Sequence, residues 1–362
     1  MSVSVVIAAG GTGGHVLPGL AVADEVRAMR PDARVSFVGV ERGERAMVPT
    51  GYGFHSTAAR PFDGGAQAAR AAGALVVATA QARRILRDER ASVVLGMGGY
   101  PSIPAVIAAR TSRVPALVHE ANAVPGLANK LCARFTPNVA AAFPGTSIAG
   151  RAARTVGMPL RASILELDRE AARREANAAY NLDPGRTTIL AFGGSLGAAR
   201  LNEAVARLVH EWRDRTDVQV LWGTGRDHEA AARARLPDGA LVVRCLGFLE
   251  RMDLAYAAAD LVVARAGAST VFELAAVGLP SILVPLPVAR AREQDANAAA
   301  LVRLGAARVI SDERIVERLA READELNGDP LAREAMSAAA TRLARPGAAR
   351  ALASWTLELA GA

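Results

Sequence analysis

Four times along this chain an apolar run of strand length passes straight into a glycine-rich turn and then into a helical pattern. Residues 3–9 lead to the loop at 10–14, residues 93–95 to 96–99, residues 188–192 to 193–197, and residues 261–263 to 265–267. Few folds accommodate that recurrence. An uninterrupted apolar run suits a strand buried on both faces, and such strands belong to parallel sheets whose crossovers are helices. Glycine turns at the carboxyl ends of those strands line the ligand crevice of an open sheet. The pattern pauses near Gly157, Met158 and Pro159, passes through a charged helical stretch at 168–179, and restarts at Thr188. A chain of 362 residues also exceeds what one core usually organises. Two α/β domains are therefore expected, each a doubly wound parallel sheet, with a hinge between residues 158 and 165. The first glycine loop should open a helix with Pro18 in its first turn, and an amphipathic helix over about 341–360 should end the chain.

The remaining composition narrows the class. Residues 1–10 carry no basic head and reach glycine after a few apolar residues, which reads as a first strand rather than a signal peptide. Longer apolar runs are cut by Gly, Pro or Arg, so no transmembrane helix is expected. Cys132 and Cys245 stand far apart in no metal-like spacing and read as buried thiols. A cytoplasmic protein is expected. The net charge is +7, and the stretch from Arg60 to Arg134 alone carries +6. That excess suits nucleic acid, an anionic lipid surface or an anionic substrate. Aromatics are scarce among these arginines, which argues against single-stranded nucleic acid. Within residues 66–90, Leu75, Val76, Val77, Ile85 and Leu86 are set among Arg70, Arg83, Arg84, Arg87 and Arg90, a mixture that suits an anionic membrane surface or a core helix.

At the fourth glycine turn a helix is expected to open with Ser269 and Thr270 and to close at Gly278 and Pro280. A helix start behind a glycine turn presents unpaired N–H groups and the positive end of the dipole, which attract phosphate. Glu273 lies about one turn in, where its carboxylate can accept both hydroxyls of a ribose. Thr270 and Glu273 equally fit a capping box, in which Glu273 only satisfies a backbone N–H. None of the four loops fits a dinucleotide fingerprint, since Val16 stands where the third glycine is required. None ends in the Gly-Lys-Ser/Thr of an ATPase loop.

Longer motifs carry a specific resemblance: AGGTGGHVLPGLAVA from Ala9, GMGGYPS from Gly96, HEANAVPGLANK from His119, GMPLR from Gly157, FGGSLGA from Phe192, RAGASTVFELAAVGLP from Arg265, and Gln294 with Asn297 in QDANA. Over nearly the whole chain the sequence resembles the MurG family, the membrane-associated N-acetylglucosaminyltransferases of peptidoglycan synthesis. The resemblance implies a GT-B architecture of two Rossmann-like domains facing across a cleft. Residues 1–160 with 343–362 would form the acceptor and membrane domain with a returning C-terminal helix, and 161–342 the UDP-GlcNAc domain. It also implies GlcNAc transfer from UDP-GlcNAc to the 4-hydroxyl of MurNAc in undecaprenyl-diphosphate-MurNAc-pentapeptide (lipid I). The product is lipid II, formed with inversion and no cofactor, at the cytoplasmic face of the cell membrane. A UDP-sugar epimerase or hydrolase, a transferase for another lipid or natural-product acceptor, and a binding protein without turnover share the fold.

Carried over by motif, Ser195 and its loop would meet the diphosphate, Leu249 would offer backbone to uracil, and Ala268, Ser269 and Thr270 would touch phosphate and sugar. Glu273 would take the ribose and Gln294 the sugar. Thr12, Gly13, Gly14, Asn122 and Arg161 would reach the donor sugar or diphosphate, and Tyr100 the acceptor. Charge growing on the leaving UDP is then met by N–H groups and an arginine, without a metal. Inversion needs one base to take the proton of the attacking hydroxyl; His15 and Glu120 are the two candidates. Beside a helix N-terminus the His15 imidazolium is disfavoured, so its ring should remain a free base. The chain departs from the family at Met158, where the hinge usually carries Asn, and at Arg292 and Glu293, where Asp-His often precedes the glutamine.

Overall fold

Every residue of the first strand, β1 (Ser4–Ala8), is buried, and its side chains divide by period two between two helical layers. Val5 and Ile7 face Val16, Val22 and Val26 of the helix Gly13–Met29, together with Leu352, Ala353 and Leu357 of the helix Ala348–Leu359. Val6 and Ala8 face Ala82 and Leu86 of the helix Ala66–Asp88 and Ile103 and Val106 of the helix Ser102–Thr111. Burying each such valine or isoleucine contributes about 1.5–3 kcal/mol. The computed structural model that shows this describes residues 3–10, 13–41, 50–61, 66–194, 198–287 and 292–361. It divides into two units, residues 1–161 with 345–362, and residues 162–344.

In the first unit β1 is joined by β2 (Arg34–Gly39), β3 (Gly53–Ser56), β4 (Val93–Gly96), β5 (Ala116–Glu120) and β6 (Asn138–Ala141). After a small antiparallel hairpin of β7 (Ser147–Ile148) and β8 (Arg151–Ala152) comes β9 (Arg154–Thr155). The sheet runs β3-β2-β1-β4-β5-β6-β9, its pairings all parallel. Because β1 connects outward to β2 while β4 pairs on its other side, the strand order reverses between β1 and β4. That reversal is where an open parallel sheet binds ligands.

The second unit repeats the plan with β10 (Thr187–Phe192), β11 (Val218–Gly223), β12 (Val242–Leu246), β13 (Leu261–Ala264), β14 (Ser281–Leu283) and β15 (Ala307–Val309), in the order β12-β11-β10-β13-β14-β15. The order reverses between β10 and β13. One face packs on the helices Ala199–Glu211 and Ile315–Asn327 through Leu201, Val205, Ile315 and Leu319. On a further cluster, Leu254, Ala257 and Ala258 of the helix Met252–Ala258 meet Ala176 of the helix Arg169–Tyr180.

Two local expectations are corrected. Pro18 stands in the second turn of its helix, because the helix already starts at Gly13. The C-terminal helix is not continuous from 341: a single 3-10 turn, Thr341–Leu343, ends before Pro346, and the helix begins afresh at Ala348. Proline disfavours helical backbone at the residue before it, Arg345, and carries no N–H to extend the ladder.

Candidate functional site

In the first unit three loops leave the carboxyl ends of β1, β4 and β5. The β1 loop gives way to the helix at Gly13, which places His15 in the first turn, half-buried, beside the exposed Gly14. Since Pro18 has no N–H, the Gly14 carbonyl is left without its usual helical donor. Burial lowers the pKa of His15 below the ordinary imidazole value, so the neutral ring prevails near pH 7. Thr12 lies outside the described residues. The β4 loop packs directly on this turn. A methyl group at Gly10 would lie 2.7 Å from Pro101 Cγ, and the Ser102 hydroxyl, 2.9 Å from the Ala8 carbonyl and 2.8 Å from that of Gly98, ties the two loops. Tyr100 is half-buried against the apolar cluster on that face of the sheet.

The β5 loop is wound around Glu120. One carboxylate oxygen accepts from the Asn122 backbone N–H at 2.8 Å and the Asn122 side-chain amide at 3.3 Å. The other accepts from the Gly126 N–H at 3.0 Å and the Asn129 amide at 2.9 Å. Burial raises the pKa of this carboxyl, and those four donors oppose the rise. His119, pointing to the other side of the strand, is fully buried with Nε2 2.9 Å from the Gly157 carbonyl. Burial, with His15 nearby as a smaller cause, pushes its pKa down to about 4, so Nε2–H donates to that carbonyl. Arg161 is half-buried at the end of the unit's main segment.

In the second unit the β13 turn leads to a helix that runs Ala268–Val277, with Gly267 as its extended N-cap. The capping-box reading therefore falls. Ala268, rather than Ser269, opens the helix, and Glu273 stands at the sixth helical position, too far along to reach back to the N-cap. Ala268, Ser269 and Thr270 fill the first three positions, whose N–H groups have no intrahelical acceptor. Ser269 Oγ is buried with no hydrogen-bond partner among the described residues. Glu273 Oε2 instead accepts from the buried Tyr256 hydroxyl at 2.8 Å. The turn is braced from below: the Asn297 amide donates to the Ala266 carbonyl at 3.2 Å. Arg265 pairs with Asp312 at 2.6 Å and reaches the Val284 carbonyl at 3.2 Å.

Leu249 is buried over Gly223, where a methyl group would lie 2.9 Å from Leu Cδ1. Beside it Asn202 joins helix to strand, accepting from Trp222 Nε1 at 3.0 Å and donating to the Thr224 carbonyl at 2.8 Å. Gln294 Oε1 accepts from the Leu286 N–H at 3.0 Å, holding the loop before its own helix. Arg292 turns to Asp295 at 3.1 Å and is 81% exposed. Ser195 falls outside the described residues, while Gly194 before it has φ +90°. Tyr256, Asn129 and Asn202 were not anticipated. Tyr256 and Asn202 lie outside the motifs, 17 and 20 residues from Glu273 and Trp222, while Asn129 lies in the motif from His119 that also holds its partners.

The chain that carries these two crevices resembles known proteins over nearly its whole length. Residues 5–141 match the glycosyltransferase family 28 N-terminal domain and residues 188–352 its C-terminal domain. The UDP-N-acetylglucosamine--N-acetylmuramyl-(pentapeptide) pyrophosphoryl-undecaprenol N-acetylglucosamine transferase of Saccharopolyspora erythraea is 45% identical over 99% of this chain and 94% of its own. The chain belongs to the MurG family. The enzyme of the same description from Clavibacter sepedonicus is 44% identical over 95% of this chain and 93% of its own. The crystal structure of Acinetobacter baumannii MurG superposes with a TM-score of 0.78 at 28% identity, covering 99% of this chain and all of that one. The two parallel-sheet domains are those of a GT-B glycosyltransferase.

Proposed function

We propose that this chain is an inverting N-acetylglucosaminyltransferase that moves GlcNAc from UDP-GlcNAc to the 4-hydroxyl of MurNAc in lipid I, giving lipid II. The observation that carries the reading is the pairing of family with site. Within the fold of its transferase relatives, the chain keeps an N-terminal helix tip of orphan N–H groups at Ala268 to Thr270, and behind it the Glu273 carboxylate. That arrangement fits a nucleoside diphosphate, phosphates on the tip and ribose on the carboxylate. As the bond from sugar C1 to phosphate oxygen breaks, negative charge grows on the diphosphate, where preorganised N–H donors lower the barrier. Arg161, Asn122, Ser195, Thr12, Gly13 and Gly14 serve the donor sugar or diphosphate, Gln294 the sugar, Leu249 the uracil, and Tyr100 the acceptor.

His15 is the base. It holds a neutral ring at a loop end, ready to take the proton of the acceptor hydroxyl as that oxygen attacks C1. Glu120, whose two oxygens are engaged by four donors of its own loop, positions Asn122 rather than taking the proton. The acceptor is lipid-linked, and the helix Ala66–Asp88 suits the inner-leaflet surface where such a lipid lies. Val76 and Val77 are 72% and 51% exposed, and Arg83, Arg84 and Arg87 continue the same stripe beside a groove of about 860 Å³. Among the described residues no helix is long and apolar enough to cross a membrane, so the contact is peripheral.

The test is incubation of pure protein with UDP-GlcNAc, with and without a lipid I analogue, followed by mass analysis. Lipid II formed only with acceptor supports the reading. UDP release without acceptor, with an altered or free sugar, replaces it with an epimerase or hydrolase. Tight UDP-GlcNAc binding with no turnover on any lipid-linked acceptor indicates a binding protein.

A further inference from the structure

The glycine loop after β4 has the look of a phosphate cradle, yet its backbone is occupied by a side chain of the protein itself. Gly98 has φ +96°, in the left-handed region that side chains rarely adopt. A methyl group there would lie 3.1 Å from His15 Cδ2 and 3.3 Å from His15 Nε2, and on another side 3.3 Å from the Asn129 amide nitrogen. Gly98 thus fills a gap one atom wide between the imidazole and a buried amide. That amide is itself fixed, donating to the His119 carbonyl at 3.1 Å and to Glu120 at 2.9 Å. Behind Gly98, the Ser102 hydroxyl 2.8 Å from its carbonyl anchors the loop to the end of β1. The next residue, Gly99, has φ +74° and would bring a methyl within 3.5 Å of His15 Cε1. Two successive glycines therefore shape a platform for the ring.

We propose that Gly98, backed by Asn129, is a positioning residue that sets the plane of the His15 imidazole at the reaction centre. The inference rests on His15 being the base. A side chain at 98 displaces the ring by several tenths of an ångström or forces the loop away from it. Because a misplacement of about 1 Å can cost roughly a hundredfold in rate, the effect falls on turnover rather than on substrate binding.

The experiment is a cycle of Gly98→Ala and His15→Ala, measured by kcat, by donor and acceptor KM, and by thermal melting. Gly98→Ala alone should lower kcat roughly 10- to 100-fold with either KM changed less than about threefold. In the His15→Ala background the same change should alter kcat less than about twofold, because the group it acts through is gone. The φ of +96° strains any side chain at 98 whatever its neighbours, so Tm lost by Gly98→Ala should remain in the double variant. Asn129→Ala, which withdraws the backing amide and leaves that φ alone, keeps the test alive if Gly98→Ala folds poorly, and should lower kcat in the parent but not in His15→Ala. A Gly98→Ala or Asn129→Ala effect on kcat that persists undiminished in the His15→Ala background overturns the proposal. So does a raised acceptor KM with kcat unchanged, which would return the loop to phosphate binding. If His15→Ala alone keeps its kcat, the base assignment fails instead, and that result is distinct from either.

Discussion

Replacing Glu273 with Ala separates a binding role from a structural one, since the carboxylate has a measurable job in each. On the structural side it accepts from Tyr256, a residue with no exposed surface, at 2.8 Å. Removing the acceptor of a buried hydroxyl costs about 1–3 kcal/mol. On the binding side, a charged acceptor for two ribose hydroxyls is worth about 2–4 kcal/mol once both bonds are lost, or roughly 30- to 1,000-fold in Kd. The assay is calorimetric titration with UDP beside chemical denaturation, for Glu273→Ala, Tyr256→Phe and the double variant. Tyr256→Phe removes the buried hydroxyl, so in that background Glu273→Ala should lose most of its stability cost while its loss of UDP affinity stays in full. The reasoning is refuted if Glu273→Ala binds UDP like the parent. It is equally refuted if the affinity loss disappears in the Tyr256→Phe background, which would make Glu273 a prop for Tyr256 and nothing more.

His15→Ala should lower kcat by roughly 10²–10⁴-fold with donor binding nearly intact, and a variant that keeps most of its kcat would remove His15 from the chemistry. Reversing the charge of Arg83, Arg84 and Arg87 together should weaken sedimentation with anionic vesicles, most at low salt, while turnover of a short soluble acceptor survives; unchanged vesicle binding moves the membrane face elsewhere. His119 titrates at about 4 in the folded protein against about 6.5 unfolded, so the unfolded chain takes up the proton first as pH falls. The stability that depends on its neutral ring is complete above about pH 6.5 and lost towards pH 4, about 2 kcal/mol between pH 7 and pH 5. Denaturation at those two pH values should show this loss in the parent and not in His119→Gln; equal acid sensitivity in both would deny the buried, neutral His119.

What the sequence made legible was the part of the fold written in local pattern. The four glycine turns lie at the ends of β1, β4, β10 and β13, the strands that flank the two reversals of strand order. Strands β3, β6 and β15 were not legible. Gly53–Ser56, Asn138–Ala141 and Ala307–Val309 are about as short as the legible β4 and β13, but they lack the run of large apolar residues leading into a glycine turn that marks those strands, and their pairing is fixed by neighbours already in the sheet. The helix at Ala268 shows the opposite failure, a local rule that matched by coincidence. Thr270 and Glu273 have capping-box spacing, but Gly267 ends the turn earlier and leaves the carboxylate to Tyr256. The bond from Tyr256 to Glu273, the closure of Leu249 over Gly223, and the ring of His15 against Gly98 join distant positions of the chain. No spacing rule encodes them.

The departure at Met158 takes on a different meaning once its surroundings are known. Read from sequence, a thioether in place of the family's usual Asn removes hydrogen-bond donors and acceptors beside the hinge. In the folded first unit Met158 is 2% exposed, among its largest buried side chains. Its neighbour Gly157 has φ +95° and no room for a methyl group, which would lie 2.7 Å from Arg345 Cβ and 3.0 Å from Ala348 Cβ. The carbonyl of Gly157 is held by His119. The outgoing segment at 157–158 is thus clamped, within one unit, against the returning segment at 345–348. A buried Asn at 158 would need partners for its amide, whereas a thioether fills the same space with no such demand. The substitution therefore acts on packing where the two chain crossings meet. The groups proposed to touch the donor, Glu273, Gln294, Asn122 and Arg161, are unchanged by it.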